Sequence, residues 1–559
     1  MSETHSGAAP TERPSVLAPP PRRSDPARQA PGQLTPRTRL ALVLLGNAIS
    51  LGALADALLR ANGLGLNITL GIAVLAAVMV WLARTRDPEL RLRDHWIAIP
   101  ALLFAGVFAW RDAGGITAIN LVLLVAALVI WSAAVRRGDS WDVRAAQVRD
   151  YAAALGANAI SVVGGLAPVL MVDVEYSHVS KAVGGRRAVP FVRGLLIAAP
   201  LLIVFGALLA SADPMFAHLM DGLVDVDLGQ VLGHVVVAGV FAWLAGGYLR
   251  GALVGDAPAA RPAAASAPGA AWSLGIIEVS VVLGSLCVLF LTFVLVQLRY
   301  FFGGAALVQA SAGLTYAEYA RRGFFELVFV AALSVPLLLG AHALLRRERP
   351  RDERIFRGLA WALLSMLHVV MLSAVRRMWL YQTEFGLTEP RLYASAFMGW
   401  LVLVFALFAA TVLRGRPRHF AFSALVAAWG VGLALNAVNP HALIMRTNLD
   451  RLRDGKRFDP AYVRELGGDA VPVLLQELHA SSGPERCQVI LALRAYRRPF
   501  DVSGGEDFDH AWHLASDWRS WNLGRHRAAR ALAETPDVDR LIVDDALRAS
   551  GCEVPARAR

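Results

Sequence analysis

Between Leu40 and Val438 the chain is built from long apolar blocks separated by short, arginine-bearing stretches. A helix that crosses roughly 30 Å of hydrocarbon at 1.5 Å per residue needs about 20 such residues. The runs Leu40 to Leu59, Leu66 to Leu82, Ile116 to Val135, Phe191 to Ala210, Gln230 to Leu249, Trp272 to Gln297, Phe324 to Leu345, Leu359 to Val375, Tyr393 to Leu413 and Phe420 to Val438 fit that length. Trp96 to Trp110 is shorter and is followed by Arg111, Asp112, Gly114 and Gly115, which suits a tilted or shallow hairpin with the next helix. The pattern predicts an all-α polytopic membrane bundle of about eleven spans over residues 39–439, followed by a small helical C-terminal region, residues 440–559.

Tyr151 to Val172 is long enough to span but is softened by Gly156, Asn158, Ser161, Gly164, Gly165 and Pro168. Loop charge separates the two readings. If the segment does not cross, 29 of the 37 basic residues before Pro440 fall on the N-terminal side; if it crosses, the split is 20 against 17. The first arrangement obeys the positive-inside rule. It makes Tyr151 to Val172 an interfacial or re-entrant segment within a long cytoplasmic loop, residues 136–190, the alternative being a plain packing helix.

Composition agrees with this picture: of 559 residues 56% are apolar and only 18% charged, and mean hydropathy is +0.48, which excludes a conventional cytosolic enzyme and a disordered or disulfide-rich secreted chain. The net charge of +11 first suggests nucleic acid. From Pro440 onward, however, 18 basic and 18 acidic residues cancel, so the excess lies among the apolar blocks and reads as membrane orientation. The expected partner is the lipid bilayer, with no nucleic acid. Residues 1–38, with eight prolines and no apolar run, form a disordered cytoplasmic tail without a cleavable signal peptide, and residues 255–271 form an Ala/Pro linker.

An odd number of spans would put the N-terminus in the cytoplasm of a bacterium and residues 440–559 outside its inner membrane. Cys487 and Cys552 both lie in that outer region, where an oxidising compartment would let them pair; two free thiols are the alternative. Within the region, Val471, Leu474, Leu475 and Leu478 and then Val489, Leu491 and Leu493 predict two amphipathic helices. A third, around Trp512 to Leu532, carries Trp512, Trp518 and Trp521 among arginines, in the manner of an anion site, core packing or headgroup anchors.

Several phrases, RGLLIAAPLLIVFGALLASADPMF from Arg193, QLRYFFGG from Gln297, TYAEYARRGFFEL from Thr315, NPHALIMRTNLDR from Asn439 and DWRSWNLGRHRAAR from Asp517, together resemble a bacterial membrane family, domain of unknown function 4173. The resemblance runs from about Leu90 to Leu532 and implies the membrane architecture, with no activity or catalytic residue to carry over.

The densest polar constellation is Arg299, Tyr300, Tyr316, Glu318, Tyr319, Arg322 and Glu326, expected at the outer leaflet. Thr315 and Glu318 form a capping-box pattern, and Glu318, Arg322 and Glu326 follow at helical spacing, so either an ion-paired pocket or simple capping and anchoring results. Ionisable groups inside spans are costly and hence candidate functional sites; these are Glu278, His342 and His368, which would serve a transporter if they shared a cavity. Gly247 and Gly251 make a GxxxG packing signal, and Asp225 with Asp227 a weak D-x-D metal pattern in an acidic loop, residues 212–228. No nucleophile elbow, P-loop, HExxH, CxxC or dinucleotide fingerprint occurs, so no cofactor is implied and an enzyme is disfavoured. The expected role is an envelope-side binding, sensing or assembly component, with a secondary transporter and a lipid- or polymer-modifying membrane enzyme as the other readings.

Overall fold

The computed structural model describes residues 34–61, 63–86, 95–138, 141–174, 228–254, 273–312, 324–497, 517–542 and 552, besides isolated positions. The run 191–210, the loop with Asp225 and Asp227, the linker 255–271 and the N-terminal tail therefore lie outside the described residues or nearly so.

The protein is an all-α, multi-pass membrane bundle. In chain order the helices are α1 (Pro36–Leu59), α2 (Leu66–Arg86), α3 (Ala98–Gly106), α4 (Gly114–Arg137), α5 (Val148–Gly164), α6 (Leu228–Leu253), α7 (Ile276–Ala312), α8 (Phe324–Leu344), α9 (Pro350–Phe385), α10 (Glu389–Thr411) and α11 (Phe420–Val438), followed by α12 (Pro440–Arg453), α13 (Val471–Ala480), α14 (Gly483–Arg497), α15 (Leu523–Ala533) and α16 (Val538–Leu541). Nine of the described helices are long and apolar enough to cross a membrane, namely α1, α2, α4 and α6 to α11. Their outward faces stay apolar, with Val122, Val281, Leu289 and Phe329 among the exposed side chains, as a lipid environment requires.

Contacts between helix ends order the bundle. At one end, here the near end, the start of α1 meets the end of α6 through Asp173, which is bound by Arg37 at 2.8 Å and Arg250 at 2.6 Å. The end of α4 joins them, since Arg136 Nε donates to the Gly251 carbonyl. At the far end the α1–α2, α3–α4 and α9–α10 connections and the end of α11 all touch the C-terminal helices, as detailed below. Short as it is, α3 together with its flanks runs along most of α11. Trp96 stands edge-on to Phe422 at the start of α11, and Arg111 donates to the Asn436 carbonyl at its end, so residues 96–111 run alongside 422–436.

Helix α5 enters and returns. Tyr151 near its start donates to the Val143 carbonyl just past the end of α4. The chain reverses at Gly165, which has φ +54° and faces the Trp243 indole, and a π-helical turn, Val169–Asp173, brings Asp173 back to the near end. Gly247 and Gly251 of α6 face Ser161; a Cβ at Gly247 would collide with the Ser161 carbonyl, which accounts for the GxxxG pattern.

The buried apolar side chains fall into three clusters. One gathers α1 to α6 around Leu44, Phe104 and Trp131, a second gathers α7 to α10 around Leu363, Phe356 and Phe405, and a third lies among the C-terminal helices around Ile444, Leu474 and Val489. In the third cluster, fully burying such a side chain stabilises the fold by about 1.5–3 kcal/mol, whereas within the bundle lipid is as apolar as the core and close packing takes that place.

Several element boundaries differ from the sequence expectation, and three bear on the candidate residues. Arg299 and Tyr300, just past the Trp272 to Gln297 run, lie inside α7, whose backbone stays helical to Ala312. Helix α9 begins at Pro350, nine residues before the apolar run, because the Asp352 carboxylate accepts from the Arg349 amide at 2.9 Å and Pro350 fits the first turn. The helix expected from Trp512 starts at Leu523, where Asn522 accepts from the amides of Gly524 and Arg525; Trp518 belongs to a preceding 3₁₀ turn.

Candidate functional site at the far end of the bundle

The sharp junction between α11 and α12 is made by Asn439, at φ 59° the only non-glycine residue with positive φ among those described. Asparagine tolerates this conformation, and its side chain caps α12 by accepting from the Ala442 amide while Pro440 occupies the first turn. The turn folds α12 back over the helix ends. From there Asn448 brackets Leu387, accepting from its amide and donating to its carbonyl at 2.8 Å each, and Arg451 donates to the Thr383 and Glu384 carbonyls. A cation thus satisfies the open carbonyl end of α9.

His441 is wholly buried. Its Nε2 lies 2.7 Å from Glu389 Oε1, and its Nδ1 accepts from the Gly467 amide at 2.7 Å. Glu389 also accepts from Tyr393 and from the Gly115 amide, and its own amide donates to Tyr462. With both ring nitrogens engaged, His441 acts as a clasp between α10, α12 and the 467–469 segment and leaves no free nitrogen to move a substrate proton.

Beside it Arg111 and Asp469 pair at 3.6 Å, and the Asp469 carboxylate also accepts from the Asp112 amide and from Asn439. Asp112 in turn accepts from the Gly468 amide at 2.7 Å and from Arg525 at 3.1 Å. Burial raises the Asp469 pKa, opposed by the Asp112 amide and by Arg111, and burial lowers that of Arg111, opposed by Asp469. Two further amide pairings complete the network. Asn120 and Asn436 exchange side-chain hydrogen bonds at 3.1 and 2.8 Å, and Asn522 donates to the Phe108 and Arg111 carbonyls. A cavity of about 370 Å³ opens between these loops, lined by Phe108, Arg111, Asp112, Gly114, Thr117, Arg464, Glu465 and Arg525.

The residues singled out from sequence lie elsewhere. Tyr316, Glu318, Tyr319 and Arg322 are outside the described residues, as are the side chains of Arg299 and Tyr300. Glu326 lies in the first turn of α8 and borders an apolar cavity of about 520 Å³ with Phe325, Phe329 and Phe397. Glu278 sits in the first turn of α7, where it accepts from the Gly275 amide. His342 bonds Arg347 at 2.9 Å beyond the end of its helix, and His368 bonds the Leu364 carbonyl of its own helix. Across helices, the His342 ring stands 5.6 Å from that of Phe356 and the His368 ring 6.0 Å from that of Phe405, so each also packs against a neighbouring helix. Cys487 and Cys552 are joined as a disulfide with Cα atoms 5.4 Å apart.

Sequence spacing missed Asn120, Glu389, Asn436 and Asp469, whose partners are distant in the chain. Two of the quoted phrases nonetheless contain much of the network, since NPHALIMRTNLDR supplies Asn439, His441, Asn448 and Arg451 and DWRSWNLGRHRAAR supplies Asn522 and Arg525.

Residues 98–477, more than half of the chain, match the family described as Domain of unknown function (DUF4153). The chain belongs to that family. This corrects the resemblance to domain of unknown function 4173, because the matched family is a different one. No curated protein and no solved structure matches the chain. The DUF4153 match spans α3 to α13 and so takes in Arg111, Glu389, His441 and Asp469, while Asn522 and Arg525 lie beyond it.

Proposed function

We propose that this DUF4153 protein lies in a bacterial inner membrane with its near end in the cytoplasm, and works as an envelope-side binding or sensing component. The C-terminal helices, residues 440–559, would then be a small extracytoplasmic unit. Arginine distribution supports the orientation: Arg136, Arg137, Arg144, Arg149, Arg250, Arg346, Arg347 and Arg349 all belong to near-end connections or helix ends. The return of α5 to its side of entry supports reading it as re-entrant, which keeps the number of crossings odd.

The observation that carries the functional reading is the cavity between the α3–α4 connection and the 464–467 segment. Its walls belong to both the bundle and the C-terminal helices. A ligand seated there would press on Asp112 and Arg111, and through Asn436 on the end of α11. With Arg111, Arg464 and Arg525 beside Asp112 and Glu465, the opening presents both signs of charge and suits a small polar ligand.

Fusions and labelling test this. Alkaline phosphatase joined after Val438 should be active and a fluorescent protein there dark; the opposite pair of results would put the far end in the cytoplasm. Glu465→Cys should react with an impermeant maleimide in intact spheroplasts. If an environment-sensitive dye at that position responds to no small-molecule fraction of the envelope, the binding role is lost.

A further inference from the structure

The 3₁₀ turn Trp518–Ser520 is held against the far ends of α1 and α2, at the rim of the bundle. Arg519 Nη1 donates to the Ala57 carbonyl at 2.6 Å, and the Leu66 amide donates to the Trp521 carbonyl at 2.9 Å. Ala57 lies two residues before the end of α1, so the guanidinium reaches about 3 Å back along a membrane-crossing helix. Gly65 permits the approach, because a Cβ there would collide with the carbonyls of Ser520 and Trp521. Arg519 is itself steadied by Asp517, which also caps the turn.

Pinned in this way, the turn presents its rings outward. Trp518 is 64% exposed and Trp521 40%, and neighbouring Leu64 is 45% exposed. Two tryptophans of a soluble domain would ordinarily be buried in its core. Here they continue an exposed stripe of α1 formed by Ile49, Ala53 and Ala57 at four-residue spacing, the kind of face a membrane helix gives to lipid.

We infer that the Trp518–Trp521 turn is a membrane-surface anchor that seats in the headgroup and glycerol layer of the leaflet at the far end. The indole is suited to that layer because its body is apolar while its N–H keeps a polar partner. The anchor ties the C-terminal helices to the bilayer at a second point, besides the buried network around Asp469. It requires only that α1 and α2 cross the membrane, and holds whichever compartment the far end faces.

Quenching by depth tests the inference. Trp518→Cys, and separately Trp521→Cys, in a Cys287→Ser background, would carry a bimane label in the full chain in phosphatidylcholine nanodiscs. Lipid bearing a nitroxide on its headgroup should quench either label at least about twofold more than aqueous iodide does, as interfacial tryptophan positions require. A label at Ile49→Cys should instead respond most to a nitroxide deep in the acyl chain. Strong iodide quenching without lipid quenching would mean that the turn stands in open water, and quenching by neither would mean that protein covers it. Both results would overturn the anchor and leave the envelope-side reading untouched.

Discussion

Arg111 and Asp469, 358 positions apart in the sequence, meet 3.6 Å apart with only 6% and 3% of their side chains exposed. A pair this deep has given up hydration on both sides, so its value lies less in net stabilisation than in the cost of breaking it. Asp469→Asn leaves the Arg111 guanidinium buried without its counter-charge and should destabilise the far-end assembly by about 3 kcal/mol. Replacing both residues with apolar ones should cost less than the sum of the single changes, which a double-mutant cycle would read. Full additivity would mean that the two are not coupled.

The same carboxylate gives a pH signature. Its pKa in the fold is above the ordinary value of 3.8, so the folded state holds the proton more tightly than the unfolded one. The stability this group contributes is complete below its ordinary value and is lost as pH rises through the raised one. Comparing unfolding of the parent and Asp469→Asn proteins isolates it: the difference should move in favour of the parent as pH falls through that window. A constant difference would refute the shift.

Asn120 and Asn436 satisfy one another inside the bundle, one from α4 and one from α11. Asn436→Leu should cost about 1–3 kcal/mol because it strands the Asn120 amide, whereas the double leucine variant should recover most of that loss. Thermal unfolding in nanodiscs would distinguish the two. Equal losses in both would show that the amides are not each other's principal partners.

The bond between Cys487 and Cys552 closes a loop across a separation of 65 residues. On the chain-entropy account, cutting such a loop costs about 4 kcal/mol. Cys487→Ala, or reductant on the parent protein, should lower the unfolding transition of the C-terminal helices and leave that of the bundle nearly in place. A transition indifferent to both would mean the thiols do not pair in the folded protein.

How much of this was legible in sequence depends on the range of the interaction. Spans were readable because a run such as Phe420 to Val438 declares its own length and needs no partner, and α11 covers that very segment. Gly247 and Gly251 were likewise visible as a pattern, although their partner, Ser161, was not. The far-end network was hidden for the opposite reason. Asn120 and Asn436, or Arg111 and Asp469, carry no local spacing that marks them, and charge patterns at helical spacing drew the eye instead to Glu318, Arg322 and Glu326. Glu278 and His342 looked buried because apolar runs extend past the ends of the helices; in place, they cap a first turn and hold a connecting loop. The shortness of α3 was legible too, but not that Trp96 and Arg111 on its flanks meet Phe422 and Asn436 of α11.

The wholly buried Asp173, gripped by Arg37 and Arg250, also sets an order of events during synthesis. Arg37 emerges first, its carboxylate partner 136 residues later, and the second arginine 77 residues after that. Until the end of α6 has left the ribosome, Asp173 has only one of its two arginines and α1 lacks one of the helices it packs against. The near end of the first helical group therefore closes only then, so a nascent chain halted before Arg250 should be cut there by protease more readily than the finished one.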